Sequence, residues 1–241
     1  MNFEISPKRI ARILILISLG LAIASLTGQF YIYFFGYEKL LGLVNFFNVD
    51  SENNLPTLYS ALLLLLSSVL LSLIALTKQE NSNRYTLHWQ GLSIIFLYLS
   101  FDEWLQIHEK FNSRLNTLIE SASNKNWDVL NLIFISVFVL IYLNFFFKLP
   151  AKIKRLFVVA CTLFVIGAFV IEVIGVHYFP NIYHQRIFLA EVISTIEEGL
   201  EMIGITIFIY ALLTYMSTFM KHIHINIVDN DKKTVTNQST F

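Results

Sequence analysis

Eight of the seventeen acidic residues of this chain lie within or beside long apolar runs: Asp102, Glu103, Glu109, Glu172, Glu191, Glu197, Glu198 and Glu201. A charged side chain at mid-depth in a bilayer costs roughly 2.5–3.5 kcal/mol on insertion scales, so such carboxylates are candidates for chemistry. The apolar runs around them hold no lysine or arginine. Like charges close together in a low dielectric must then share protons or hold a cation between them. Shared protons suit proton transfer. A bound cation would be Ca²⁺, Mn²⁺ or Mg²⁺ on carboxylates alone, or Zn²⁺ or iron with His108 and His177 contributing.

Spacing selects among the acids. A helix turns by about 100° per residue, so Tyr98, Asp102, Gln106, Glu109 and Ser113 share one stripe, with Glu103 and His108 off it on different sides. Further on, Glu191, Ser194, Glu198 and Glu201 repeat at intervals of three, four and three, with Glu197 beside them. Glu172 follows Arg155 by 17 residues, or ~25 Å of helix. The candidate ligand set is therefore Asp102, Glu103, His108, Glu172, Glu198 and Glu201. Gln106, Glu109, His177, Glu191 and Glu197 are possible additions. No catalytic residue can be assigned from this pattern.

Known templates fit poorly. The di-iron bundle pattern needs two Glu-x-x-His pairs, whereas the last apolar run offers Glu198-x-x-Glu201 and no histidine. The HExxH zinc motif is absent, because His108-Glu109 has no second histidine at the required place. The expected function is binding of a cation or shared protons, in connection with transport. One alternative is a metal-dependent membrane enzyme at the outer leaflet, with a glutamate as general base for metal-bound water. Another is an assembly partner whose acids pair with a basic helix of a second chain. The expected partners are membrane lipids and a small cation or proton, and a divalent metal ion is the one cofactor the residues suggest. Nucleic acid is excluded: 17 basic and 17 acidic residues cancel to zero net charge.

The elements that must carry these residues follow from composition. The chain has 241 residues, 56% hydrophobic and 14% charged, against about 25% charged in an average soluble protein. Its mean hydropathy is +0.62. A membrane helix needs about 20 apolar residues, and six stretches qualify. They run over 13–35, 58–76, from about Trp89 to His108, 129–147, 156–179 and 188–216. The third is expected to continue as a helix past His108 through Ile119. The apolar segment 37–49 is too short to cross and should lie at the interface as a cap. The basic N-terminal end could suggest a signal peptide, but the first apolar run is too long for one and is expected to stay in place.

The fold class expected is all-α, a polytopic bundle of six transmembrane helices over 1–220, followed by a disordered cytoplasmic tail over 221–241. With the N-terminus inside, twelve lysines and arginines fall on the inner side and five on the outer. Both termini are then cytoplasmic, in the manner of a multi-pass protein of a bacterial plasma membrane. The acids of the third, fifth and sixth spans all fall in the outer half of the bundle. An inverted three-plus-three repeat would instead place the acids of the third and sixth spans at opposite ends. Ser67, Ser68, Ser72 and Ala61 read as a close-packing face, and Trp89, Trp104 and the Phe145–Phe147 run as interfacial or lipid-facing residues. Cys161 has no partner for an intrachain bridge.

Overall fold

The computed structural model describes residues 6–36, 41–51, 53–80, 84–107, 125–171 and 188–220, and these are helical with short connections. Helix α1 spans Pro7–Phe35, α2 Leu41–Phe47, α3 Leu55–Glu80 and α4 Thr86–Leu105. Helix α5 spans Lys125–Lys148, α6 Ala151–Val165 with a π-helical continuation Ile166–Ile171, and α7 Phe188–Phe219. No strand is present among the described residues.

Local chemistry sets the boundaries. Pro7 opens α1, where its missing N–H costs nothing, and Gly36 closes it in the left-handed conformation (φ 65°), its N–H returning to the Ile32 carbonyl. Pro150 separates α5 from α6. Asn54 caps α3, its Oδ1 accepting the Thr57 N–H at 3.1 Å.

Helix α7 is the central element and packs against α1, α3 and α6, while α4 packs chiefly on α3. Met202, Ile209, Ala211 and Leu212 of α7 and Leu71 and Ile74 of α3 are wholly buried. Between α3 and α4 the serines do what their small size permits. Ser68 Oγ donates to the Ser93 carbonyl at 2.7 Å, Ser93 Oγ returns the bond to Ser68 at 2.9 Å, and Ser100 Oγ donates to the Ala61 carbonyl at 2.8 Å. Ser72 takes no part and faces outward. Helices α1 and α7 run antiparallel. Phe188 meets Phe30 and Phe34 at one end, and Tyr59 adjoins both Ser18 and Thr206 further along.

The outer surface is apolar. Leu16, Ile23, Phe34, Leu87, Ile94 and Leu140 are each more than three-fifths exposed. Among the described residues, three helices are long and apolar enough to cross a membrane: Pro7–Phe35, Leu55–Lys78 and Phe188–Phe219, with mean hydropathies of 2.2, 2.4 and 1.7. An apolar exterior over such helices suits lipid as the solvent.

Three expectations are corrected. Helix α4 does not continue past Leu105: Gln106 adopts the left-handed conformation (φ 54°), and its N–H caps the Asp102 carbonyl at 2.7 Å. The face expected to carry Asp102 and Gln106 along one helix is interrupted there, and Glu109 of the same expected stripe lies outside the described residues. Trp89 is no interfacial anchor, being 2% exposed between Phe145 and Tyr215. Phe145 is likewise core, whereas Phe147 of the same run faces outward. Beside Phe145, His88 stacks on its ring and meets Tyr85 and Tyr142.

Candidate functional site

One end of the bundle is built on the turn between α2 and α3. Helix α2 lies against α1 because Gly28 leaves room for Val44, whose methyl groups would stand 3.0 and 3.1 Å from any Cβ at that position. From there Ser25 of α1 holds the descending chain. Its hydroxyl accepts the Val49 N–H at 3.2 Å and donates to Asn48 Oδ1 at 3.3 Å. Asn48 Oδ1 also accepts the Asp50 N–H, and the Asn54 amide donates among the carbonyls of Asn45, Asn48 and Ser51. Asn48, Asn54 and Thr57 are buried by this network. It fixes the backbone that carries Asp50.

Opposite that turn runs α7. Phe188 matches Phe30 and Phe34 of α1, and Thr206 lies near Ser18 through Tyr59, so Glu198 falls at the level of Ser25. Glu198 lies within electrostatic range of Glu201, Glu103, Asp50 and Glu197. Three separate pieces of chain supply these charges: α7 itself, the last turn of α4 and the α2–α3 turn.

Helix α6 reaches the same level through its π-helical segment. A Cβ on Gly167 would stand 2.7 Å from the Glu197 carbonyl and 3.0 Å from Glu201 Cγ. One turn along, Gly204 of α7 meets the Ala160 carbonyl and the Phe164 amide, each at 3.0 Å from the Cβ it lacks. Two glycines, one on each helix, thus allow α6 and α7 to touch backbone to backbone beside the acidic turn.

The sequence candidates divide accordingly. Glu201, Glu197 and Glu103 come within electrostatic range of Glu198. Glu103, expected off the interior stripe, is the α4 acid that acts on Glu198, and Asp102 is not among the groups acting on it. Glu191 lies in the first turn of α7 and Gln106 at the α4 C-cap. His108, Glu109, Glu172 and His177 lie outside the described residues. Among those described, no three His, Cys, Asp or Glu side chains are arranged to hold a metal ion. Asp50 was not singled out from the sequence. Its signal is the turn-forming run from Asn48 to Asn54, whose asparagines, aspartate and serine favour a tight chain reversal.

Helix α4 reaches α7 through rings. Phe96 stacks on Phe208 at 4.7 Å with planes 5° apart, and Trp89 lies 5.1 Å from Tyr215. Beside these rings the bundle leaves an apolar cavity of about 440 Å³ among α3, α4, α5, α6 and α7. Its wall includes Leu99, Phe164 and Gly204, each one turn from the acidic level.

Helical structure throughout the described residues, an apolar exterior and, among those residues, three helices able to cross a membrane define a helical protein suited to a bilayer. The chain belongs to the family described as a domain of unknown function, DUF8692, whose model matches residues 12–216. No curated protein and no solved structure matches it.

Proposed function

We propose that this is a six-span membrane protein with both termini cytoplasmic. Its function is to bind a cation or shared protons at the carboxylates around Glu198, in the outer half of the bundle, as part of ion or proton movement. The observation that carries the reading is the convergence on Glu198 of charge from Glu201, Glu103, Asp50 and Glu197. Carboxylates brought into one another's field favour whatever positive charge can reach them, a proton or a metal ion alike. The lysine and arginine distribution, twelve to five, supports the orientation and so the placement of the acids in the outer half.

The test is ion movement by the full chain in proteoliposomes. Purified wild type, Glu198→Gln and Glu103→Gln are compared for dissipation of an imposed pH gradient and for uptake of Na⁺, Ca²⁺ and Mn²⁺, with elemental analysis of each sample. The expected outcome is flux, or a stoichiometric bound cation, that falls at least tenfold in Glu198→Gln. Equal flux and equal metal content in all three proteins would sink the proposal.

A further inference from the structure

The apolar cavity and the basic corner between α5 and α6 are carried by the same two helices. On α5, Phe138, Tyr142 and Phe145 of the cavity wall follow one another at intervals of four and three, and a further step of three reaches Lys148. On α6, Lys154 is followed after three, four and seven residues by Phe157, Val158 and Cys161, all of the wall. The stripe that lines the cavity thus ends in a lysine on each helix. Lys154 bends back across the corner, its Nζ donating to the Phe147 carbonyl at 3.4 Å, and Lys148, Lys152 and Arg155 are exposed around it. The sequence holds no acidic residue between Asp128 and Glu172, so no carboxylate of the corner neutralises these cations. The first turn of α6 has neither an acid nor a side-chain cap, which leaves its N–H groups open to an anion. The wall residues that are also exposed, Phe138, Val158, Cys161 and Thr162, belong to α5 and α6, whereas Leu64, Leu92 and Ile205 at the back are buried. The cavity therefore opens sideways between α5 and α6. Its volume of about 440 Å³ lies within the roughly 300–1,000 Å³ of small-molecule sites, and an apolar space does not hold water.

We infer that the cavity takes an acyl chain of an anionic phospholipid whose phosphate sits at Lys148 and Lys154. Basic residues at helix ends serve orientation and alone point to no ligand. Here they close the two stripes of an apolar cavity, and a basic pocket between membrane helices suits an anionic head group. Phe145 precedes Lys148 by three residues and Phe157 follows Lys154 by three, about 4.5 Å along each helix, so a chain enters the cavity directly below a seated phosphate. From Phe157 to Phe164 the wall then runs for about 10.5 Å without a charge. Charge complementarity selects the head: the ammonium of a zwitterionic lipid would meet the lysines, whereas an anionic head brings no such repulsion. The site lies at the end of the bundle opposite Glu198 and is independent of the ion-binding reading.

The experiment uses the full chain in phosphatidylcholine nanodiscs with a small fraction of a photoactivatable lipid, either phosphatidylglycerol or phosphatidylcholine, bearing a diazirine near the end of one acyl chain. After irradiation, the labelled residues are mapped by mass spectrometry. Labelling is expected on the α5 and α6 peptides that contain Phe138 and Cys161. At equal mole fraction the phosphatidylglycerol probe should label them at least tenfold more than the phosphatidylcholine probe. Unlabelled phosphatidylglycerol should remove that excess, and glycerol phosphate in solution should not. Lys148→Gln, at an exposed position, should lower the excess at least threefold, and the pair Lys148→Gln with Lys154→Gln should abolish it. The pair Lys148→Arg with Lys154→Arg should retain it, with thermal unfolding unchanged in all three. Cys161→Trp, which places a ring at the mouth, should lower labelling by both probes. Labelling spread evenly over outward-facing residues such as Leu16 and Ile23 would overturn the inference. So would equal labelling of the cavity peptides by the two probes. Loss of the excess to glycerol phosphate alone would overturn it too, since the site would then bind the head group without the chain.

Discussion

At Asn54 a single side chain caps α3 and ties down the turn that arrives from α2. Its Oδ1 accepts the Thr57 N–H and the Thr57 hydroxyl, and its amide donates among three carbonyls of the turn. Asn54→Ala should therefore cost at least the about 1–2 kcal/mol of a lost N-cap, with buried carbonyls left unpaired in addition. Asn54→Ser should recover the cap share and leave the amide share missing. Thermal unfolding in detergent checks both, and a loss for Ser as large as for Ala would show that the cap contributes nothing. A second contrast concerns the tryptophans. Trp89→Ala removes a wholly buried ring and should cost about 3–5 kcal/mol, whereas Trp104, 41% exposed, should cost far less. The sequence could not separate these two residues. Both stand in one apolar run, and burial depends on which neighbours the rest of the chain supplies.

Helix pairing turns on glycines whose neighbours lie far away in sequence. A Cβ on Gly167 would meet the Glu197 carbonyl, and one on Gly204 the backbone of α6, so neither obstacle can swing aside. Gly199 and Gly20 meet nothing within 4 Å. Gly167→Ala and Gly204→Ala should each lower the thermal midpoint, while Gly199→Ala and Gly20→Ala should raise stability by about 0.5–1 kcal/mol each, since alanine restricts the unfolded chain and favours helix. Midpoints in detergent for all four variants decide this, and a uniform response would mean that α6 and α7 are not in backbone contact. Much of the helical organisation is legible in the sequence, because apolar length and the Pro7, Gly36 and Pro150 breaks are local signals. The serine face of α3 is legible for the same reason. The stop of α4 at Gln106 is not: nothing in the run from Phe101 to Phe111 contains a glycine or proline to announce it. Helical spacing places Glu198 and Glu201 together on α7, but the contribution of Glu103 and Asp50 depends on the antiparallel fit of α7 against α1 and the α2–α3 turn. Long-range fit of this kind leaves no periodic trace.

Net charge for the whole molecule is zero, yet the charge is unevenly placed, and that unevenness yields a prediction about the bilayer. Lys8, Arg9 and Arg12 at the start of α1, and Lys148, Lys152, Lys154 and Arg155 around the α5–α6 corner, lie at helix ends remote from the α2–α3 turn. Lys154 turns back on that corner, with Nζ 3.4 Å from the Phe147 carbonyl and 5.9 Å from the Phe147 ring. Asp50, Glu103, Glu197, Glu198 and Glu201 occupy the opposite end. Basic residues retained on the cytoplasmic side would put the acidic end outside. In a Cys161→Ser background, a membrane-impermeant maleimide added to intact cells should label Ser51→Cys. It should label Ser6→Cys and Lys152→Cys only after the membrane is opened. The reverse pattern would turn the acidic site toward the cytoplasm and exchange the side from which its cation is drawn. Labelling of all three positions in intact cells would mean that the chain does not span the bilayer as a bundle at all. The expected pattern would leave the carboxylates around Glu198 next to the external medium.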